Sequence, residues 1–260
     1  MKTRILSAVI MLPLIALLFI GGRPLLIACF IIGVMGVREF YHGFENLNIK
    51  PSYLVANLCI LGLYAVNLFT PEVYGLYMLW FLAVVVLSLL YLFNIENREL
   101  ADAMATMTGI FYVVFLSFHV TLVEQTEYGI LVWLIFITAF GTDSMAYFTG
   151  YAIGKHKLAP KISPKKTIEG SAGGILGSVL FCGLFGYFAV PRLLVHCVII
   201  GVLGGVISQL GDLTASIFKR KMGIKDYGNL IPGHGGILDR FDSVLFTAPL
   251  VYYYILLIIL

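Results

Sequence analysis

Charged side chains are scarce in this chain. Only 12% of its 260 residues are Asp, Glu, Lys or Arg, which is about half the share found in soluble proteins. Hydrophobic residues make up 60%, and the mean hydropathy is +0.97. One core could not bury so many apolar side chains in water, so we predict that most of the chain lies in lipid. The composition excludes a disordered chain, and a net charge of only +3 excludes a basic nucleic-acid-binding protein.

Closely spaced cysteines and internal repeats are also missing. Each of the four cysteines lies inside an apolar run, and no two have the spacing of a metal-binding or redox pair. We interpret them as small buried residues. No repeat of fixed period is present, whereas many transporters carry paired repeats. The four cysteines are Cys29, Cys59, Cys182 and Cys197.

Apolar runs of membrane-spanning length dominate the rest of the sequence. A helix needs about 20 mostly apolar residues to cross a bilayer. Nine runs come close to this length, and short polar breaks separate them. We therefore expect an all-α, polytopic membrane bundle that forms a single domain over residues 1–260. The runs lie near residues 4–22, 24–42, 52–70, 74–93, 104–123, 128–150, 171–190, 193–211 and 241–260.

Lysine and arginine fall almost entirely on one side of this nine-helix arrangement. Fifteen of the seventeen basic residues lie at the N-terminus or in segments that follow even-numbered helices. Only Arg23 and Arg192 fall on the other side. By the positive-inside rule, the N-terminus and the most basic segments are cytoplasmic. We predict a multi-pass protein of the cell membrane with its C-terminus outside.

Two cytoplasmic loop segments, residues 151–170 and 212–240, are rich in charged side chains. They carry ten of the fifteen inward-side basic residues, and acids lie among them or at the ends of the flanking helices. A purely basic segment would suit an anionic membrane surface. Carboxylates interleaved with lysines suit a metal ion together with phosphates, because each charge then has a counterpart. The acids are Asp143, Glu169, Asp212, Asp226, Asp239 and Asp242.

The first segment has an acid at its entrance and a lysine pair near its end. Asp143 follows a long apolar run, and an ionisable residue in or near a membrane is usually functional. The alternative is that Asp143 only pairs with a lysine of the loop. Ser163-Pro164 favours a turn, and Thr167 is placed to begin the next helix. A helix that starts there would point backbone N–H groups at an anion beside Lys165 and Lys166.

The second segment begins with a charged stretch. If this stretch is helical, four polar residues share one face at i, i+4, i+7 and i+8. They are Asp212, Ser216, Lys219 and Arg220.

A glycine-rich turn and two further acids follow. Gly235 and Gly236 allow the backbone to approach a ligand closely, and His234 suits either a ligand contact or a plain turn. Asp239 and Asp242 are three residues apart at a helix start, a spacing that presents both carboxylates to one Mg²⁺ ion.

These motifs resemble those of the phosphatidate cytidylyltransferase (CDP-diacylglycerol synthase) family. Over 27 residues the second segment has the family's order, which here reads Ser216, Lys219-Arg220, Lys225-Asp226, Pro232, His234-Gly235-Gly236, Asp239-Arg240 and Asp242. The first segment is similar to the family in Asp143-x-x-Ala146-Tyr147, in Ser163-Pro164-Lys165-Lys166-Thr167 and in Glu169-Gly170. The aromatic residue that the family often has before that Glu is Ile168 here. The resemblance covers roughly residues 141–243, and the earlier helices match only as membrane spans.

The resemblance implies a reaction. It implies Mg²⁺-dependent conversion of CTP and phosphatidate into CDP-diacylglycerol and pyrophosphate, at the cytoplasmic face of a membrane enzyme that forms a homodimer. The residues by themselves indicate only a metal and phosphate site in a membrane. Cytosine and diacylglycerol come from the resemblance alone.

The resemblance also suggests roles for single residues. We expect the metal ligands to be Asp143, Asp212, Asp239 and Asp242, with Lys219 and Arg220 as further catalytic residues. We expect the remaining motif residues to bind substrate: Ser163, Lys165, Lys166, Thr167, Glu169, Ser216, Lys225, Asp226, His234, Gly235, Gly236 and Arg240.

Two other functions fit part of the pattern. One is another CTP-dependent membrane lipid enzyme, either polyprenol kinase-like or specific for a different lipid acceptor. The other is a transporter, although transporters usually place ionisable groups near the middle of the bilayer. Here the charges gather at one face.

Overall fold

The described chain is almost entirely helical. The computed structural model describes residues 16–230 and 235–260. Residues 16–20 are helical. Ten helices follow: α1 (Gly22–Phe44), α2 (Tyr53–Phe69), α3 (Tyr74–Leu90), α4 (Leu100–Gly109), α5 (Leu116–Glu124), α6 (Val132–Ile153), α7 (Ile168–Ala189), α8 (Leu194–Lys221), α9 (Leu238–Phe241) and α10 (Val244–Tyr254). A short antiparallel hairpin of β1 (Lys157–Ala159) and β2 (Ser163–Thr167) lies between α6 and α7.

Short turns extend or join several of these helices. Turns of 3-10 helix lie at Glu45–Leu47, Tyr91–Phe93, Gly129–Leu131 and Pro191–Leu193. A π-helical turn, Ile110–Phe115, joins α4 to α5, and a second one, Ile255–Ile259, extends α10.

The predicted membrane runs within the described residues are all helices. Six helical segments there are long and apolar enough to cross a membrane, and α2 and α10 are apolar but shorter. The chain is therefore an all-α integral membrane protein. The predicted run at 4–22 lies mostly outside the described residues, so the number of nine spans stays a prediction. The six segments are Gly22–Leu47, Tyr74–Phe93, Leu100–Glu124, Gly129–Ile153, Ile168–Ala189 and Pro191–Lys221.

The two segments expected to be loops are more ordered than predicted. Helix α8 continues to Lys221, because residues 212–221 contain neither Gly nor Pro. Gly223, with a φ of +71°, follows its end. Likewise, α6 continues to Ile153, and the β-hairpin forms the rest of the 151–170 segment.

The described chain divides into two compact units. The first comprises residues up to Phe118 together with Lys221–Arg240, and the second comprises His119–Arg220 and Phe241–Leu260. In the first unit, α1 packs tightly on α4. The Tyr41 hydroxyl donates to the Thr106 carbonyl at 2.7 Å, and its ring lies where a Cβ at Gly109 would be. Gly109 therefore allows this large side chain to be fully buried.

In the second unit, α6, α7 and α8 pack through glycines. A Cβ at Gly173 or Gly177 of α7 would collide with the side chains of Thr149 or Met145 of α6. Gly201 and Gly205 of α8 lie against the backbone of α7 in the same way. Both pairs are four residues apart, the spacing with which membrane helices bring their backbones close together. We refer to the α6–α7 contact at Gly173 and Gly177 as the glycine seam.

Candidate active site

Within the second unit, the predicted start of α7 is confirmed. Thr167 is the N-cap residue, and its hydroxyl accepts the Gly170 N–H at 3.1 Å. This bond satisfies one of the backbone donors that the first helical turn leaves without a carbonyl partner. Residues 163–167 form β2 directly before the cap, so Ser163, Lys165 and Lys166 reach the helix start on a strand. Lys165 is exposed, whereas Ser163 and Lys166 are half-buried.

Lys166 pairs with Asp212 of α8. The Lys166 ammonium contacts Oδ2 of Asp212, and both side chains are about three-quarters buried. The Ser216 hydroxyl approaches Oδ1 of the same carboxylate at 3.4 Å. Residues 212–220 are helical, so the predicted common face for these polar side chains exists. Near the end of that face, Nε of Arg220 donates to the carbonyl of Ile162 in the hairpin at 3.4 Å.

The charges of Asp212, from this pair, and of Asp143 act on a third carboxylate, Asp242. Asp242 is only 7% exposed, and the α8 backbone at Gly211 is so close that a Cβ there would lie 3.0 Å from the Asp242 carbonyl oxygen. Burial raises the pKa of Asp242 to about 7, with further contributions from the charges of Asp212 and Asp143, while Lys219 opposes the shift. A buried carboxylate with acidic neighbours gains stability when a cation approaches. Asp143, Asp212, Asp242, Lys166 and Lys219 are called the acid–lysine cluster below.

The acid–lysine cluster has the donors that Mg²⁺ prefers, but it is not a closed protein cage. Among the described residues, no three His, Cys, Asp or Glu side chains are arranged so that they alone could hold a metal ion. Mg²⁺ usually takes one or two carboxylates and fills its other positions with water and substrate phosphates. The cluster therefore fits a magnesium ion that binds together with a phosphate substrate. The predicted set of four metal ligands stays a prediction.

Glu169 holds the hairpin at the start of α7. Its carboxylate accepts the N–H groups of Lys155 and His156 at 3.1 and 3.2 Å, and it contacts Nδ1 of His156 at 2.6 Å. These contacts fix the chain where it leaves α6 and enters β1. The predicted substrate contact of Glu169 is untested, but the side chain has a clear role within the fold.

Within the first unit, Asp239 is also buried, but its partners are backbone groups. Its Oδ2 accepts the N–H groups of Tyr227 at 2.8 Å and of Gly236 at 3.0 Å. Gly235 has a φ of +86°, and a Cβ there would lie 2.9 Å from the same oxygen. The backbone at these glycines therefore comes close to a carboxylate of the protein, and the predicted approach to a ligand stays a prediction.

The other predicted residues of this unit differ in their surroundings. Nε of Arg240 is buried and has no hydrogen-bond partner among the described residues. A buried guanidinium donor of this kind suits an anion such as phosphate. Lys225 and Asp226 are exposed. His234 lies outside the described residues.

One acid beside the second motif is missing from the sequence-based set. Glu39 of α1 accepts the N–H groups of Ile237 and Leu238 at 2.9 and 2.8 Å, across nearly 200 residues of sequence. A signal for it exists, because Glu39 is an ionisable residue inside the apolar run at 24–42. The partner could not be identified from the sequence, because nothing local relates residue 39 to residues 237–238.

The fold is that of a multi-pass helical membrane protein. Its carboxylates and lysines meet at the ends of helices that pack through glycines. The chain belongs to the cytidylyltransferase family, whose sequence model matches residues 2–258. It is 34% identical to a phosphatidate cytidylyltransferase of Bacillus subtilis, over 97% of both chains. It is also 34% identical to one of Synechocystis, over 98% of this chain and 97% of that one, and 36% identical to one of Staphylococcus epidermidis, over 96% and 97%.

Proposed function

We infer that the chain is an enzyme that transfers CMP from CTP to phosphatidate. A phosphate oxygen of phosphatidate bonds to the α-phosphorus of CTP, the bond from that phosphorus to the β-phosphate bridge breaks, and pyrophosphate leaves. The lipid product is CDP-diacylglycerol, an intermediate of phospholipid biosynthesis. The observation that carries this function is the acid–lysine cluster, which lies within the motifs that resemble those of the family.

Both substrates are anions, so the barrier is mainly charge repulsion and alignment. Lys166, Lys219 and Arg220 are proposed to neutralise and orient the phosphates, together with Lys165 and Lys225. An ionised phosphatidate is already a nucleophile, so no general base is required. The buried Nε of Arg240 supplies one further donor to a phosphate oxygen.

We propose that Mg²⁺ binds at the acid–lysine cluster. Asp143, Asp212 and Asp242 would hold it together with water and the substrate phosphates, because the charges of Asp143 and Asp212 act on the buried Asp242. When bound, the ion supplies positive charge to phosphate oxygens and favours departure of pyrophosphate. Asp239, three residues before Asp242 in the chain, stays a predicted ligand from the sequence alone.

The proposed orientation places the N-terminus, the hairpin and the end of α8 in the cytoplasm. It rests on the distribution of basic residues in the sequence and on the positive-inside rule. CTP is a cytoplasmic nucleotide, so the cell membrane with its motifs facing inward is the proposed location. We also propose that the acyl chains of phosphatidate enter sideways from the inner leaflet and that the enzyme works as a homodimer.

Transfer of labelled CTP into the lipid phase tests this function. Purified protein in detergent is incubated with CTP, phosphatidate and Mg²⁺, and each component is left out in turn. We expect label in lipid and released pyrophosphate only when all three are present, and formation of both about 1,000-fold slower with an Asp239→Asn variant. Glu96→Gln, at an exposed position, serves as the matched control and should behave as wild type. Transfer to another lipid but not to phosphatidate would contradict the proposed acceptor, and no use of CTP would contradict the reaction.

A further inference from the structure

Helix α1 carries a carboxylate that binds backbone groups beside the second motif. The two oxygens of Glu39 each accept one N–H, from Ile237 at 2.9 Å and from Leu238 at 2.8 Å. Both amides lie immediately before Asp239 and at the start of the short helix α9. Hydrogen bonds to a charged acceptor are about twice as strong as neutral ones. An acid in an apolar helix is costly, and these two bonds compensate for that cost at one specific place.

Two glycines of the same segment lie close to the Glu39 carboxylate. A Cβ at Gly236 would collide with Oε2 of Glu39, and a Cβ at Gly228 would lie 2.7 Å from Oε1. Gly228 and Gly236 thus lie against the carboxylate. Ile237 and Leu238 of the same segment donate their N–H groups to it. Such close contacts on several sides define one position for the backbone relative to the carboxylate.

Neighbouring residues of α1 hold the same segment. Phe40 is fully buried, and its ring packs on that of Tyr227 with 5.9 Å between the centroids. One turn later, a Cβ at Gly43 would lie 2.6 Å from the sulfur of Met222. One face of α1 therefore serves as a platform for the residues between α8 and α9 that the structure describes.

Asp239 belongs to the turn that Glu39 fixes. Its Oδ2 accepts the Gly236 N–H, and Gly236 is also the residue packed against Glu39. The second donor to Oδ2 comes from Tyr227, which Phe40 holds by ring contact. A shift of the 236–238 backbone would therefore move the carboxylate of Asp239.

We propose that Glu39 is a positioning residue, which holds the turn at residues 236–239 and thereby sets the orientation of the Asp239 carboxylate for the reaction. The link to turnover rests on the proposed function. The structural part, that Glu39 fixes this turn, is independent of any activity.

Steady-state kinetics of Glu39→Gln test the effect on turnover. Gln keeps the size of the side chain but presents an N–H₂ group to one of the two backbone donors. We expect kcat to fall about 100-fold, as for a small misplacement of a reacting group, with KM for CTP changed less than about 3-fold. The melting temperature in detergent should fall by a few degrees relative to Glu45→Gln, because two backbone donors lose their charged acceptor. Glu45 is the matched control, because it follows α1 and its carboxylate pairs with His42 at an exposed position. Wild-type kcat in Glu39→Gln, or a rise in KM for CTP as large as the fall in kcat, would overturn the proposal.

Backbone hydrogen exchange tests the same residue without an activity readout. We expect peptides within residues 235–243 to exchange at least about 10-fold faster in Glu39→Gln than in wild type or Glu45→Gln, because two amides lose their charged acceptor. Peptides from the hairpin at 157–167 should be unaffected. Unchanged exchange at 235–243 would overturn the proposal. If the wild-type protein failed to use CTP, the proposed function would fail, and the exchange result would still decide whether Glu39 holds the turn.

Discussion

The two units use buried carboxylates in opposite ways. In the first, Glu39 and Asp239 together accept four backbone N–H groups, so each negative charge is surrounded by donors that the fold fixes. In the second, Asp242 has acidic neighbours and an opposing lysine, and its pKa rises to about 7. The first arrangement is held by backbone donors of the protein itself. The second is stabilised further when a cation arrives.

This difference assigns different tasks to residues of the same chemical type. Carboxylates that accept backbone N–H groups determine the path of the chain, because backbone donors cannot move independently of it. Carboxylates that face one another determine what binds, because their repulsion is relieved by a cation and by the anions that accompany it. Asp239 and Asp242 are only three residues apart in the sequence, yet the structure gives them these different surroundings.

Single substitutions of Asp239 and of Asp242 give the largest expected effects. Asp239→Asn and Asp242→Asn should each lower kcat by about 1,000-fold, because each removes a negative charge proposed to hold the Mg²⁺ ion that stabilises the phosphates. Their melting temperatures without added Mg²⁺ at neutral pH should change in opposite directions. Asp242→Asn should raise the value, because it removes a repelled charge, and Asp239→Asn should lower it, because an amide oxygen is a weaker acceptor. Changes in the same direction would contradict the comparison.

The Lys166–Asp212 pair provides the next largest effect. Lys166→Met should lower kcat/KM for CTP by about 10-fold, the equivalent of one charge-assisted hydrogen bond. The loss should be smaller at high salt, where the wild-type enzyme also loses part of this attraction. Lys161→Met is the matched control, since Lys161 is an exposed lysine in the connection between β1 and β2. Equal losses for the two variants would mean that general positive charge, rather than this pair, attracts the nucleotide.

A methyl group at Gly228 would test how tightly the Glu39 carboxylate is held. Its Cβ would lie 2.7 Å from Oε1 of Glu39, which cannot retreat without weakening its two hydrogen bonds. We expect Gly228→Ala to lower the free energy of unfolding by about 1–3 kcal/mol. Gly75→Ala is the control, since a Cβ there meets nothing within 4 Å. Equal unfolding free energies for the two variants would show that the carboxylate is held loosely.

The pH dependence of stability gives the smallest expected effect. The pKa of Asp242 rises in the folded protein from 3.8 to about 7, so the folded state binds more protons than the unfolded state between these values. Stability without Mg²⁺ should therefore fall as the pH is raised from about 4 to about 7, by a few degrees in melting temperature. Mg²⁺ should reduce this slope, and Asp242→Asn should remove Asp242's contribution to it. A melting temperature that rises over this range, in wild type but not in Asp242→Asn, would contradict the assignment.

The sequence predicted the helices, the start of α7 and the polar face of α8 for physical reasons. Apolar runs of membrane length identify spans regardless of tertiary contacts, and the N-cap at Thr167 is a local signal. The face formed by Asp212, Ser216 and Lys219 follows from helical periodicity as soon as α8 extends to Lys221.

The remaining features of the candidate site depend on contacts that no local pattern encodes. Glu39 meets its partners across nearly 200 residues, and a single apolar run with one acid does not specify them. The hairpin at 157–167 is short, contains two prolines and lacks the alternation of a typical strand, so it was expected to be a loop. The contacts of Glu169 within the fold could not be predicted either, because its backbone partners exist only once the hairpin has formed. Its substrate contact, which the resemblance suggests, stays a prediction.

The glycine seam between α6 and α7 also constrains how this enzyme can diverge. Gly173 and Gly177 tolerate no side chain at all, whereas Leu176 and Leu180 on the same helix are largely exposed. After random mutation of α7, functional variants should therefore keep Gly173 and Gly177. The same variants should accept other apolar residues at Leu176 and Leu180. Lineages in thicker or thinner bilayers would adapt through the exchangeable side, while the seam kept the spacing of the helices that carry Asp143 and Thr167.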